Sequence, residues 1–471
     1  MLGRMLPSTS VCGQLNTIAN LALAFPNSAS YNATEKAYWS LQEASLTPSC
    51  IAQPSTSQHV ADIVSTIVSH GCTFAIKGQG HAPSAGFANI NDGVTIDMTG
   101  LHTISVNEDA SVASVGAGAS WLDVYTFLDP LNKTVAGGRN GAVGVGGLTL
   151  GGGISYFSPQ VGFTCDTVIN FEVVLASGHV IDANGTSHTD LFRALKGGMN
   201  NFGVVTRFDF STLPIGEILG GGIANDISDR HAVFEALANI ANAPEYDVYT
   251  SIVTSIVFSS SSKSWTLASA PIYAKPNPNP PVYRELFAVP SISNTMHLTS
   301  LHAFANETAT PQINFLFYTT TFGVSADLLE RILQIANASL HDLEIPGVTW
   351  LFALEPLPTV LVQRGAGDNS LGTSAQDGNS IVLLLTAVWT DSSYSEGIDA
   401  KSADVIAGIE EAARDMGLGR RFRYANYANA KQRVVDSYGV ENRMFLEEVA
   451  QKYDPEGVFQ KLVPGGFKLG D

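Results

Sequence analysis

Val60, Ile63, Val64, Ile67 and Val68 recur at the i, i+3, i+4, i+7, i+8 spacing of one helix face. The spacing predicts an amphipathic helix that starts at Ser57 or a neighbour and stops at Gly71. The period then changes. Residues 73–76 are a short strand; Val94, Ile96 and Met98 alternate as a half-buried strand does; 112–115 is a further strand, followed by a helix over 120–128. Residues 168–176 and 179–183 flank Ser177-Gly178 and predict a hairpin. Thr189 is placed to cap a short helix that Gly197 ends, and 204–210 is the next strand. Residues 1–46 read as a helical lead-in without chemistry.

From about residue 214 the texture changes. Helical patterns at 228–241 and 325–342 alternate with strand-like runs at 250–258, 264–273, 312–320 and 380–389, which predicts an α+β layer. Residues 276–281, Pro-Asn-Pro-Asn-Pro-Pro, form a stiff extended connector rather than a boundary. No internal repeat is visible, and the stretch from about 418 is mostly helical in pattern.

Three glycine-dense loops punctuate the first half: Lys77-Gly78-Gln79-Gly80-His81, Val143-Gly144-Val145-Gly146-Gly147 and Gly151-Gly152-Gly153. Backbone N–H groups in such turns form nests that hold phosphate, so the simplest ligand is one long phosphate-bearing molecule laid across several loops. A nicotinamide fingerprint fails, because the third glycine it needs is Thr149 in one loop and Pro83 in the other. A set of tight structural turns is the alternative, but it needs fewer glycines, each of which costs folding entropy.

Composition narrows the classes. Charged residues are 14% of the 471, hydrophobic ones 45%, and the net charge is −18. That excludes a basic nucleic-acid footprint and disfavours an anionic membrane surface. No apolar run reaches the roughly 18 residues of a membrane helix. Residues 1–15 lack the apolar core of a signal peptide, so the chain is expected to be intracellular or to have lost a leader. Sequons occur at Asn32, Asn132, Asn184, Asn306 and Asn337. The cysteines, Cys12, Cys50, Cys72 and Cys165, lack metal-site spacing, and no metal is expected. Cys12 and Cys50 could staple the first segment down in an oxidising compartment; four buried free thiols are the open alternative.

The glycine loops are joined, in order, by Cys165-Asp166-Thr167-Val168, Asn170-Phe171-Glu172-Val173-Val174-Leu175-Ala176, 196–207 (Lys-Gly-Gly-Met-Asn-Asn-Phe-Gly-Val-Val-Thr-Arg), Tyr424-Ala425-Asn426-Tyr427, Lys452-Tyr453-Asp454-Pro455 and Val458-Phe459-Gln460. This series resembles the fungal berberine-bridge-enzyme-like oxidases of the vanillyl-alcohol-oxidase superfamily, which carry a PCMH-type FAD-binding fold. The resemblance implies a two-domain α+β flavoprotein. Its FAD domain would be discontinuous, residues 1–213 and 418–471, with a substrate domain on an antiparallel sheet inserted at 214–417.

The resemblance also implies site roles. FAD would be held by Lys77, Gly78, Gln79, Gly80, Val143, Gly144, Gly146, Gly147, Gly151, Gly152, Gly203, Val205 and Asn426. His81 would bond covalently to the flavin 8α-methyl group. Relatives that make a second bond use a cysteine where Asn140 stands here, so one bond only is expected. Tyr427, ahead of Tyr424, would take the substrate proton once its surroundings lower its pKa. Val143 would leave room for dioxygen. The expected reaction is oxidation of a small molecule (an alcohol, amine, sugar or fungal secondary metabolite) with hydride passing to flavin and then to dioxygen as hydrogen peroxide. A cyclase or isomerase without net redox change, a dehydrogenase with another acceptor, and a binding protein with a silent flavin are the other classes. Secretion and a monomer are expected from the relatives. Glu355 and Asp123, outside these motifs, read as surface or structural.

Overall fold

The computed structural model describes residues 8–306 and 312–470. The amphipathic stripe becomes the Ser57–His70 helix, with Val60, Ile63, Val64 and Ile67 fully buried. The cap is Thr56, whose Oγ1 accepts from His59 N at 3.1 Å, and Gly71 ends the helix at φ +63°. This helix packs on the Ser8–Leu15 helix and on a five-stranded sheet.

Two sheets build the first part of the chain. Ala22–Ala24, Cys50–Gln53, Val94–Asp97 and Phe74–Lys77 lie side by side in that order, the last three parallel. Ile104–Val106, Val112–Gly116, Val204–Ser211, Val168–Val174 and Val180–Asn184 form the second, wholly antiparallel sheet. Cys12 and Cys50 are disulfide-bonded, tying the Ser8–Leu15 helix to the first sheet, while Cys72 and Cys165 are free and buried.

The third sheet has nine strands, all antiparallel. Its long strands run Ser264–Tyr273, Thr250–Ser259, Thr349–Leu357, Ser380–Trp389, Asn314–Gly323. The Arg230–Ala241, Ala326–Leu340 and Ser395–Asp415 helices cover one face and enclose their own apolar cluster. The opposite face carries Phe315 and Phe317 toward the first sheets. A separate, larger apolar cluster holds the first 200 or so residues together with Leu446, Val449, Phe459, Leu462 and Phe467 from the end of the chain. Phe74 N donates to Leu462 O at 2.8 Å and Asn201 Nδ2 to Phe467 O at 2.9 Å, so the last residues edge the first sheets. The protein is thus an α+β chain built on one small, mostly parallel sheet and two larger antiparallel ones. Among the described residues, no helix is long and apolar enough to cross a membrane.

Several elements differ from their sequence reading. The Thr189–Leu195 helix is preceded by His188 in the left-handed region, with no side-chain cap; Thr189 is its first helical residue. Thr349–Leu357 and Ser395–Asp415 went unread. The first is a central strand buried on both faces, so it lacks alternation and even contains Pro356. The second has Gly397, Gly408 and several serines, which blur the helical period.

Candidate active site

The loop after Phe74–Lys77 turns sharply at Gly80, whose φ is +71° and whose missing Cβ would sit 2.9 Å from the Tyr38 ring. Only glycine fits that contact and that dihedral together. The Lys77 side chain points away from the loop surface. It pairs with Asp97 at 3.3 Å, both about 2% exposed, and its Nζ also reaches Gly78 O at 3.4 Å. Lys77 therefore braces the loop from below, its side chain packed against the glycine turn.

Gln79 Nε2 donates to Gly118 O at 2.6 Å, and a Cβ at Gly144 would lie 2.9 Å from Gln79 N. Ser120 bridges Gly144 and caps the Trp121–Leu128 helix in a capping box with Asp123, which is structural as read. The 77–81, 116–120 and 141–147 loops are thereby in direct contact. The Val145–Leu150 helix begins at Gly144 without a side-chain cap. Among the described residues, the backbone N–H groups of Gln79, Gly80, Gly146 and Gly147 have no protein acceptor, and the space beside Gly147 is open to 4 Å. Unpaired donors at a helix start and in an adjoining glycine turn suit a pyrophosphate. The donor set fits FAD.

His81 lies half-buried with its ring stacked on Trp39, centroids 4.3 Å apart. Burial pushes its pKa down to about 4, so the imidazole is neutral near pH 7. Trp39 also stacks on Phe315 at 3.5 Å and meets Phe317 at 5.6 Å; Phe317 contacts the Tyr427 ring edge at 6.3 Å. One aromatic wall thus runs from His81 to Tyr427 across the junction of the small sheet with the nine-stranded one. The lead-in supplies Trp39 to this wall. Its sequence neighbourhood carries no motif that singles it out.

Tyr424-Ala425-Asn426-Tyr427 lies against the glycine loops. Asn426 Nδ2 donates to Leu148 O at 3.0 Å and to Tyr424 Oη at 2.9 Å, and Tyr424 Oη also accepts from Ile154 N at 2.9 Å. Tyr424 is only 2% exposed, and its hydroxyl is committed to fastening the segment. Tyr427 is different. Its Oη donates to Glu355 Oε1 at 2.9 Å, and Arg139 donates both to that Oη and to Glu355 Oε2, the latter at 2.6 Å. Glu355 is not a surface residue: its side chain is 4% exposed and fully engaged. A lone acid in the apolar run Leu354-Glu355-Pro356-Leu357, and a lone arginine in the glycine loop at 139, were the available signals. Burial raises the Tyr427 pKa well above its ordinary value, against the pull of Arg139, so the expected lowering does not occur.

The remaining expected residues spread further. Gly151 packs on Asn426, and Val143 O accepts from Trp121 N at 3.0 Å. Gly152 carries φ +104° and bonds through its carbonyl to Cys165 N at 2.8 Å. Gly203 fits tightly against Val173 and Val174 at the start of its strand, and Val205 is in the core. Asn140 Oδ1 accepts from Ala142 N at 2.8 Å within the arginine's loop.

Residues 48–184 match the family of FAD binding domains. The chain is 36% identical over 458 residues to the FAD-dependent monooxygenase FUP4 of Fusarium proliferatum, covering 92% of this chain and 87% of that one. It is 34% identical to the FAD-dependent monooxygenase tpcD of Cochliobolus heterostrophus, covering 94% and 89%. In fold it is similar to the Acremonium strictum glucooligosaccharide oxidase with a 6-S-cysteinyl, 8α-N1-histidyl FAD, at a TM-score of 0.78, 21% identity and coverage of 97% and 98%.

Proposed function

Because the chain belongs to the family of FAD-linked oxidoreductases that includes these fungal FAD-dependent monooxygenases, we propose that it oxidises a small molecule seated between the His81–Tyr427 wall and Arg139. The observation that carries this reading is the Tyr427–Glu355–Arg139 triad. FAD, when bound, supplies the acceptor for a hydride from the substrate carbon, and dioxygen then takes those two electrons as hydrogen peroxide. Tyr427 is a neutral phenol at working pH. It accepts the substrate's proton only as its own passes to Glu355 Oε1, and Arg139 offsets the charge that develops on its oxygen. The aromatic wall excludes water and orients the substrate. The domain division at 213/214 and 417/418 belongs to this reading: the last segment brings Tyr427 to a site whose other wall, Phe315, Phe317 and Glu355, comes from the nine-stranded sheet.

His81 is the attachment point for the flavin in this proposal. Its neutral imidazole is a competent nucleophile, and Asn140 offers no thiol for a second bond. Acid precipitation tests it. The flavin should stay with the protein, and peptide mass spectrometry should find it on the His81 peptide alone; complete release by acid would sink the claim.

The names of the relatives favour a second reading, in which an oxygen atom from dioxygen enters the product. Turnover under ¹⁸O₂ separates the two. Peroxide equal to product with no label supports the oxidase; label in the product supports monooxygenation. The proposal extends to an oxidising compartment, supported by the Cys12–Cys50 disulfide and the exposed sequon residues Asn32 and Asn132. Glycosidase-sensitive mass on the native protein tests that.

A further inference from the structure

We propose that the cleft between the Asn314–Gly323 strand and the end of the Ser395–Asp415 helix is a binding site for a multiply charged oxyanion, a phosphate or a polycarboxylate, separate from the redox centre. The cleft has a volume of about 400 Å³ and is lined by Thr321, Glu410, Arg414, Arg420, Arg421 and Arg423 among others. Arg414, Arg420, Arg421 and Arg423 fall within one stretch of a chain whose net charge is −18 and whose Lys and Arg total only 25. Charge so concentrated against the trend of the whole molecule needs a local reason.

The hydrogen bonds leave a surplus of donors. Arg423 Nη2 donates to Glu410 Oε1 at 2.8 Å, Arg421 Nε to Ser437 O at 3.0 Å, and Arg420 Nη1 to Gly419 O at 3.1 Å. Arg414 has no acceptor among the described residues. One carboxylate therefore faces these guanidinium groups. The helix dipole explains a cation such as Arg414 in the last turn of a helix. It does not explain three further arginines beside it. An oxyanion in the cleft, with several acceptor atoms and a geometry matched to guanidinium, pairs with this surplus, which Glu410 alone does not balance.

The cleft is pre-shaped. Arg420 N donates to Thr321 O at 3.2 Å and Gly323 N to Leu418 O at 2.7 Å, which pins the arginine segment to the strand. It is also remote from the aromatic wall. Phe317 and Thr321 are separated by about 13 Å of strand at about 3.3 Å per residue, so an anion held here does not occupy the reacting position.

The test uses the flavin-loaded protein, so that the cofactor's own phosphate cradle is filled. Thermal unfolding is followed against inorganic phosphate and against citrate, each compared with chloride at equal ionic strength. The expected result is saturable stabilisation by at least one of them. Binding by phosphate alone, by citrate alone or by both identifies the source of the oxyanion. Arg420→Gln and Arg414→Gln should each weaken that binding about tenfold, the loss of one charge-assisted contact, with the flavin spectrum unchanged. Arg414 is exposed, so its variant folds even if the other does not. Stabilisation no greater than chloride gives, or equal in the parent and in Arg414→Gln, overturns the proposal and leaves a cleft filled by water.

Discussion

Tyr427 and Glu43 show how burial sets the chemistry of single groups in opposite contexts. Burial keeps the Tyr427 phenol protonated and bonded to Glu355, so removing the hydroxyl should remove the proton route without disturbing the ring's packing on Phe317. Tyr427→Phe is expected to slow anaerobic flavin reduction by about 10²- to 10⁴-fold, and Glu355→Gln to slow it similarly, while Tyr424→Phe shifts stability more than rate. Stopped-flow reduction checks all three; parental rates in Tyr427→Phe would move the proton acceptor elsewhere. Glu43 is fully buried, and burial raises its carboxyl from 4.5 to about 7, although Ala88 N and Gly86 N donate to it. The folded chain therefore holds this proton more tightly than the unfolded chain. Its stabilising effect is complete below about pH 4.5 and is lost as pH rises through 7, a fall of up to roughly 3 kcal/mol. Urea midpoints at pH 5 and pH 7.5 should differ in the parent and differ less in Glu43→Gln. Glu35, also pushed up to about 7 chiefly by burial, leaves a residual slope.

At the scale of elements, short-range rules explain what was legible. The Ser57–His70 helix has an apolar stripe, a threonine cap and a left-handed glycine stop, and its boundaries follow from those three. Thr56→Ala should lower stability by about 1 kcal/mol, read as a shift in urea midpoint with flavin content unchanged; an unchanged midpoint would mean the cap bond to His59 N is not made. The Thr189–Leu195 helix shows the limit, because a residue that looks like a cap was outbid by the turn at His188. The Thr349–Leu357 strand shows another. A strand flanked on both sides and covered on both faces has no polar period to read, and its one acid, Glu355, looks like a surface residue until its partner strands are in place.

Among the described residues, the two large apolar clusters and the three larger sheets are tied by the end of the chain. The Cys12–Cys50 disulfide spans 38 residues and anchors the Ser8–Leu15 helix to the first cluster. In the chain-entropy account, opening a loop of that size costs about 4 kcal/mol. The Cys12→Ser, Cys50→Ser double variant should unfold at markedly lower denaturant, with the loss in the transition that exposes the flavin to solvent. Equal stability with and without reductant in the parent would show that the bond does not form.

The amino-acid sequence by itself carried the amphipathic helix, the 177–178 hairpin and the glycine turns, because these depend on local periodicity and on backbone positions that favour glycine. The flavin-linked family and the Tyr424–Tyr427 motif came from the resemblance of an ordered series of motifs, which a sequence also holds by itself. The sequence put Tyr427 ahead of Tyr424 without a physical reason, since a tyrosine on either side of Asn426 could fasten a loop, as Tyr424 does to Ile154 N, or meet Glu355, as Tyr427 does. It gave no role to Trp39, Arg139 or Glu355, whose partners Phe315, Glu355 and Tyr427 lie 276, 216 and 72 residues away. Only the tertiary structure decided those, because the Tyr427–Glu355–Arg139 contacts join three separate segments and exist only when those segments meet, and nothing in a local stretch of chain encodes that meeting.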